Sequence, residues 1–77
     1  MSKLPVVSGP ELCKILKKKG YSIDHQTGSH MILRNDNMPH RRLTVPNHKE
    51  IARGTLRAIL RQAGLTTEEL IDLIETG

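Results

Sequence analysis

The chain has 77 residues, with 12 Lys and Arg against eight Asp and Glu, a formal charge of +4, and Tyr21 as its only aromatic residue. That length makes one small domain over residues 1–77, with a core built from Leu, Ile and Val and a narrow margin of stability that assembly can widen. The lone cysteine, Cys13, excludes an intrachain disulfide, and no apolar run approaches the length of a membrane span.

Ser8 and Glu11 have the spacing of a capping box, with Val7 and Leu12 placed as a hydrophobic staple around it. Pro10 is tolerated in the first turn, where its missing N–H has no helical partner. Leu12, Ile15 and Leu16 form one apolar stripe, Lys14, Lys17 and Lys18 point away from it, and Gly20 is placed to end the helix in the left-handed region. Cys13 reads as a small buried hydrophobe on this helix. Three strands are expected next. Tyr21 and Ile23 alternate with Ser22 and Asp24, Thr27-Gly28-Ser29 makes a turn, and His30 to Arg34 is the second strand. Asn35-Asp36-Asn37, closed by Pro39, makes another turn, and Arg42 to Val45 is the third strand, stopped by Pro46. Short connections favour antiparallel hairpins.

A second helix starts near Arg53 to Thr55, buries Leu56, Ile59, Leu60 and Ala63, and ends at Gly64. Arg53, Arg57 and Arg61 recur every four residues and line up on a neighbouring face. Thr66 and Glu69 open a third helix with another capping box. Its Leu70, Ile71, Leu73 and Ile74 are expected to pack inward, and Glu68, Glu69, Asp72 and Glu75 to face water. The order α-β-β-β-α-α, with helices on one face of a three-stranded antiparallel sheet, makes an α+β sandwich.

The charge is unevenly spread. Every Lys and Arg precedes residue 66, whereas residues 66–77 hold four acids and no base. A basic body with an acidic last helix points to a polyanion such as nucleic acid, although well-charged helix faces are also common on soluble proteins that bind none. The N-terminus carries Lys3 but no long apolar stretch of the kind a signal peptide has, so the cytoplasm is the expected compartment.

Gly28-Ser29-His30 is the segment that carries chemistry. Histidine exchanges protons near neutral pH, and a Gly-Ser entry lets a ligand come close to the backbone. Beside clustered Lys and Arg, His30 suggests proton transfer on a bound polyanion; the plainer reading is a packed, hydrogen-bonded residue. Alternation puts His30, Ile32 and Arg34 on one side of the strand, and Met31 and Leu33 on the other. The first set is expected to face the helices, because an edge site there is both shaped and wet. Metal is not expected: His25, His30, His40 and His48 lack a ligand spacing, Cys13 stands alone, and the carboxylates do not cluster. No cofactor is implied either.

Three segments in this order resemble the HicA toxin family (also called YcfA-like). They are Gly28-Ser29-His30, then Thr44-Val45-Pro46 followed by His48, then the run from Gly54-Thr55-Leu56-Arg57 to Gly64-Leu65. The resemblance covers Ser8 to about Leu70 and implies a fold similar to a double-stranded-RNA-binding domain. It also implies a toxin that cleaves messenger RNA, is neutralised by a HicB-type antitoxin, and has its essential histidine at His30. Members often carry an aromatic residue where this chain has Leu33, which touches either base stacking or core packing. Some also have a longer connection before the second helix.

RNA supplies its own nucleophile, the 2′-hydroxyl. The chemistry needs its deprotonation, in-line geometry and neutralisation of charge on the phosphate. His30 is the candidate general base, and the products would be a 2′,3′-cyclic phosphate and a 5′-hydroxyl. For the general acid, His25, His48 and water remain open. Candidate RNA contacts are Ser29, Arg34, Lys49, Arg53, Arg57 and Arg61, since guanidinium matches phosphate bidentately; the alternative is a solvated helix face. The scarcity of aromatics favours recognition through backbone charge and shape over stacking. The same basic surface suits an acidic antitoxin. Ser29 as a covalent nucleophile would need a paired base, and adjacent strand residues face opposite ways, so His30 is poorly placed for that. Two other classes of function fit the same residues, a non-catalytic RNA-binding module and a domain that binds an acidic protein only.

Overall fold

The structure, a computed structural model, describes residues 3–76. Helix α1 spans Gly9–Lys17, strands β1, β2 and β3 span Tyr21–Gln26, His30–Asn35 and Arg42–Pro46, and helices α2 and α3 span Arg53–Ala63 and Thr67–Thr76. The strands pair antiparallel in the order β1-β2-β3, with α1 lying across β1 and β3, α2 against β3, and α3 against α1. The protein is therefore α+β, with the helices on one face of the sheet, an arrangement compatible with the double-stranded-RNA-binding domain.

Local chemistry sets the helix ends. Ser8 N–H donates to Glu11 Oε1 at 3.0 Å and Glu11 N–H donates to Ser8 Oγ at 3.2 Å, closing the expected capping box. These bonds hold the Glu11 carboxyl below its ordinary pKa, the Ser8 backbone N–H contributing most. Thr66 and Glu69 repeat the arrangement before α3, at 3.0 and 3.1 Å. Gly20 takes φ +90° and Gly64 φ +73°, the left-handed region that glycine enters without a steric penalty.

The core is aliphatic. Leu12, Ile15 and Leu16 of α1 meet Tyr21, Met31, Leu33, Leu43 and Val45 of the sheet and Leu56, Ile59 and Leu60 of α2. Cys13 is buried among them, 3.7 Å from the Met31 sulfur, and burial pushes its thiol pKa up, away from reactivity. Two apolar expectations need correction. Ile23 is exposed, next to a β-bulge between Ile23 and His25 where β1 runs past the cover of the helices. In α3 only Leu70 is fully buried, Leu73 packs partly on the core, and Ile74 is exposed. Leu73 and Ile74 line an open groove with Ile15 of α1, so neither is fully buried. Lys18 Nζ donates to the Leu73 carbonyl at 3.3 Å across that junction.

Gly9 is a point of close approach. A Cβ on it would collide with the Pro46 carbonyl oxygen and crowd the Met31 methyl and Asn47 Cα. Alanine at position 9 favours the helix, but a backbone carbonyl cannot yield as a flexible side chain does. Gly9→Ala is therefore expected to lower stability by about 1–3 kcal/mol, the usual range for overpacking. Thermal unfolding measures it, and an unchanged or raised melting temperature would contradict the packing described.

Candidate active site

His30 opens β2 at the hairpin turn. Thr27 N–H donates to the His30 carbonyl at 2.9 Å, and His30 N–H donates to Thr27 Oγ1 at 3.2 Å, so the turn is closed from both sides. The expected facing is reversed. Met31 and Leu33 are 4 % and 0 % exposed and point at the helices, which leaves His30, Ile32 and Arg34 on the open face of the sheet. The helices cover whichever alternating set buries more apolar surface, and Met31 with Leu33 exceeds Ile32 flanked by His30 and Arg34. Leu33 thus lies in the core and touches no open face, so the departure from an aromatic residue there concerns packing and not base stacking.

Ser29 also departs from expectation. Its Oγ lies 3.0 Å from His30 Nδ1, because Ser29 belongs to the turn and strand alternation does not govern it. When Nδ1–H donates to this hydroxyl, the lone pair of Nε2 is left free to accept a proton.

His30 lines an open cleft of about 300 Å³ with Thr44 and Pro46 of β3, His48 of the following loop, and Ala52 and Thr55 at the start of α2. Backbone bonds hold this loop in place. Asn47 N–H donates to the Ser29 carbonyl at 2.8 Å, Gly9 N–H to the His48 carbonyl at 2.9 Å, and Ile51 N–H to the Val7 carbonyl at 2.9 Å. Ile51, 3 % exposed, pins the loop from below; its isolation among Asn, His, Lys and Glu was the signal that sequence reasoning passed over. Helix α2 starts at this cleft with Ala52 as N-cap, no side-chain cap and no acid in its first turn. Its N-terminal N–H groups and the positive end of its dipole are therefore uncompensated by side chains.

The basic residues divide. Arg34 lies on the open sheet face, paired across the ladder with Arg42, and Lys49 adjoins His48 on the exposed loop. Arg53, Arg57 and Arg61 are all exposed, but Thr55 and Arg57 are two residues apart and project on nearly opposite sides of α2. Arg57 and Arg61 line a separate cleft of about 330 Å³ with Leu60, Leu65, Thr66 and Thr67. The fold brings His30, Ser29 and His48 together and does not bring Arg57 or Arg61 to them. His25 lies outside the cleft on β1, its Nδ1 3.2 Å from Asp24 Oδ2, and His40 Nδ1 lies 3.0 Å from the Asn35 carbonyl. Among the described residues no three His, Cys, Asp or Glu side chains converge.

Fold and cleft together define a small α+β domain, compatible with the double-stranded-RNA-binding fold, in which His30 and His48 line one open cleft. Residues 9–65 match the sequence model of the HicA toxin of bacterial toxin–antitoxin pairs, and the chain belongs to that family. Its members are toxins, generally ribonucleases, that pair with an antitoxin. No curated protein matches the chain. No helix among the described residues is long and apolar enough to cross a membrane.

Proposed function

We propose that this toxin is an endoribonuclease that cleaves messenger RNA in the cytoplasm without a metal, with His30 as general base. The observation that carries the reading is His30 itself: exposed, held at Nδ1 by Ser29, and set in a cleft that receives the start of α2. His30 Nε2 takes the proton of the 2′-hydroxyl as its oxygen attacks phosphorus. The uncapped first turn of α2 stabilises the charge that develops on the phosphate oxygens. Gly54 in that turn supports this: a Cβ there would meet nothing, so packing does not demand glycine, and its bare backbone admits a phosphate. Arg34, Lys49 and Arg53 hold the flanking phosphates, and Ser29 positions the base. The test is defined RNA incubated with wild type and His30→Ala in chelator, with end-group analysis. Wild type is expected to leave 2′,3′-cyclic phosphate and 5′-hydroxyl ends; RNA bound by wild type but never cut would make the protein a binding module instead.

The cleft beside Arg57 and Arg61 suits an antitoxin of the HicB type. Its floor of Leu60 and Leu65 fits an apolar anchor, and its arginines fit flanking acids, whereas a phosphate backbone has no use for an apolar floor. Reversing both charges, Arg57→Glu with Arg61→Glu, is expected to weaken antitoxin binding by about tenfold or more while RNA cleavage stays near wild type. Titration calorimetry beside a cleavage assay checks this. Loss of RNA affinity with intact antitoxin binding would assign the two arginines to RNA.

A further inference from the structure

The proposed reaction leaves one proton transfer unassigned, the one that converts the departing 5′-oxygen into a hydroxyl. We infer that His48 is the general acid of this cleft, an assignment that rests on the proposed ribonuclease reading. Of the other histidines, His25 and His40 lie outside the cleft and His48 lines it together with His30. The loop that carries it is fixed on both sides. Asn47 N–H is bonded to the carbonyl of Ser29, the residue whose hydroxyl holds His30, and the His48 carbonyl accepts from Gly9 N–H. The two rings are thus tied to one framework by main-chain bonds. The His48 side chain makes no hydrogen bond within the protein among the described residues, and the residue is exposed, so its ring is free for a ligand. His30 lines the same cleft, and Lys49 and Glu50 follow His48 in the chain.

The step balances as follows. The 2′-oxygen forms a bond to phosphorus and gives its proton to His30 Nε2. The bond from phosphorus to the 5′-oxygen breaks, its electron pair goes to that oxygen, and the oxygen takes a proton from the His48 imidazolium. The products are a 2′,3′-cyclic phosphate and a 5′-hydroxyl, with His30 protonated and His48 neutral. His30 then gives one proton to water and His48 takes one from it, which restores both.

The experiment compares wild type, His48→Ala, His48→Gln and His30→Ala on two RNAs: the natural strand, and one with sulfur replacing the 5′-oxygen at the linkage that wild type cuts. A thiolate leaves without a proton. Both His48 variants are expected to cut natural RNA about a hundredfold more slowly and the sulfur-bridged RNA within a few-fold of wild type. His30→Ala is expected to fail on both. Since the loop is held through its backbone, the variants should melt as wild type does, and a melting curve on each confirms it. Wild-type rates for folded His48 variants on natural RNA, or equal losses on both RNAs, would overturn the assignment while leaving the role of His30 standing. No cleavage by wild type would remove the ribonuclease reading as well.

Discussion

Replacing His30 with alanine is expected to slow RNA cleavage by 10²–10⁴-fold, about the contribution of a positioned proton-transfer group. The same substitution should leave the fold intact. His30 is exposed, its ring bonds only the Ser29 hydroxyl among the described residues, and its place in the turn is held through backbone N–H and carbonyl groups that alanine retains. Surface changes of this kind stay within about 0.5 kcal/mol of the parent. RNA affinity should fall little, because phosphate contacts come from cations and from the α2 terminus. Single-turnover cleavage, a binding isotherm and a melting curve on one preparation separate these quantities. Ser29→Ala gives a graded comparison: it keeps the imidazole but frees its orientation, so its loss of rate should be smaller than that of His30→Ala. A His30→Ala protein that cuts at the parental rate would end the proposed mechanism.

Leu33→Ala is expected to have the largest effect on stability, about 3 kcal/mol, within the range for deleting a fully buried leucine. Leu33 is 0 % exposed in the middle strand, paired with Ile23 on one side and Leu43 on the other, and it faces the helices. In a domain of this size 1 kcal/mol moves the melting temperature by roughly 4–8 °C, so the expected fall is roughly 12–24 °C. Such a loss is a large share of the stability of a small domain. The measurement also decides what the position does: a folded Leu33→Ala protein with the parental melting temperature and weakened RNA binding would place Leu33 at the RNA surface and contradict the strand facing.

Helix starts and turns were readable because their signals are local. Ser8 with Glu11 and Thr66 with Glu69 close boxes between residues three apart, and Gly20 and Gly64 stand where the chain turns left-handed. Ile23 and Ile74 show where such reading stops. Each has the right period for burial and each is exposed, Ile23 beside the bulge in β1 and Ile74 on the open groove between α1 and α3. Period tells which residues share a face, and only the neighbouring layer decides whether that face is covered.

The site follows the same division. Residue types and chain order were enough for the family, which the match over residues 9–65 shows, and they offered His30 as a candidate. Which way His30 looks was a question of competition between two alternating sets for one helical layer, and Met31 with Leu33 prevailed because their burial removes more apolar surface from water. The meeting of His30 with His48 depends on main-chain bonds from Asn47 to Ser29 and from Gly9 to His48, between segments far apart in the chain. The separation of Arg57 and Arg61 from that cleft depends on how α2 is rotated against β3 when Leu56, Ile59 and Leu60 enter the core. Neighbouring residues carry no record of such contacts, because every backbone offers the same donors and acceptors and only packing brings particular ones within reach.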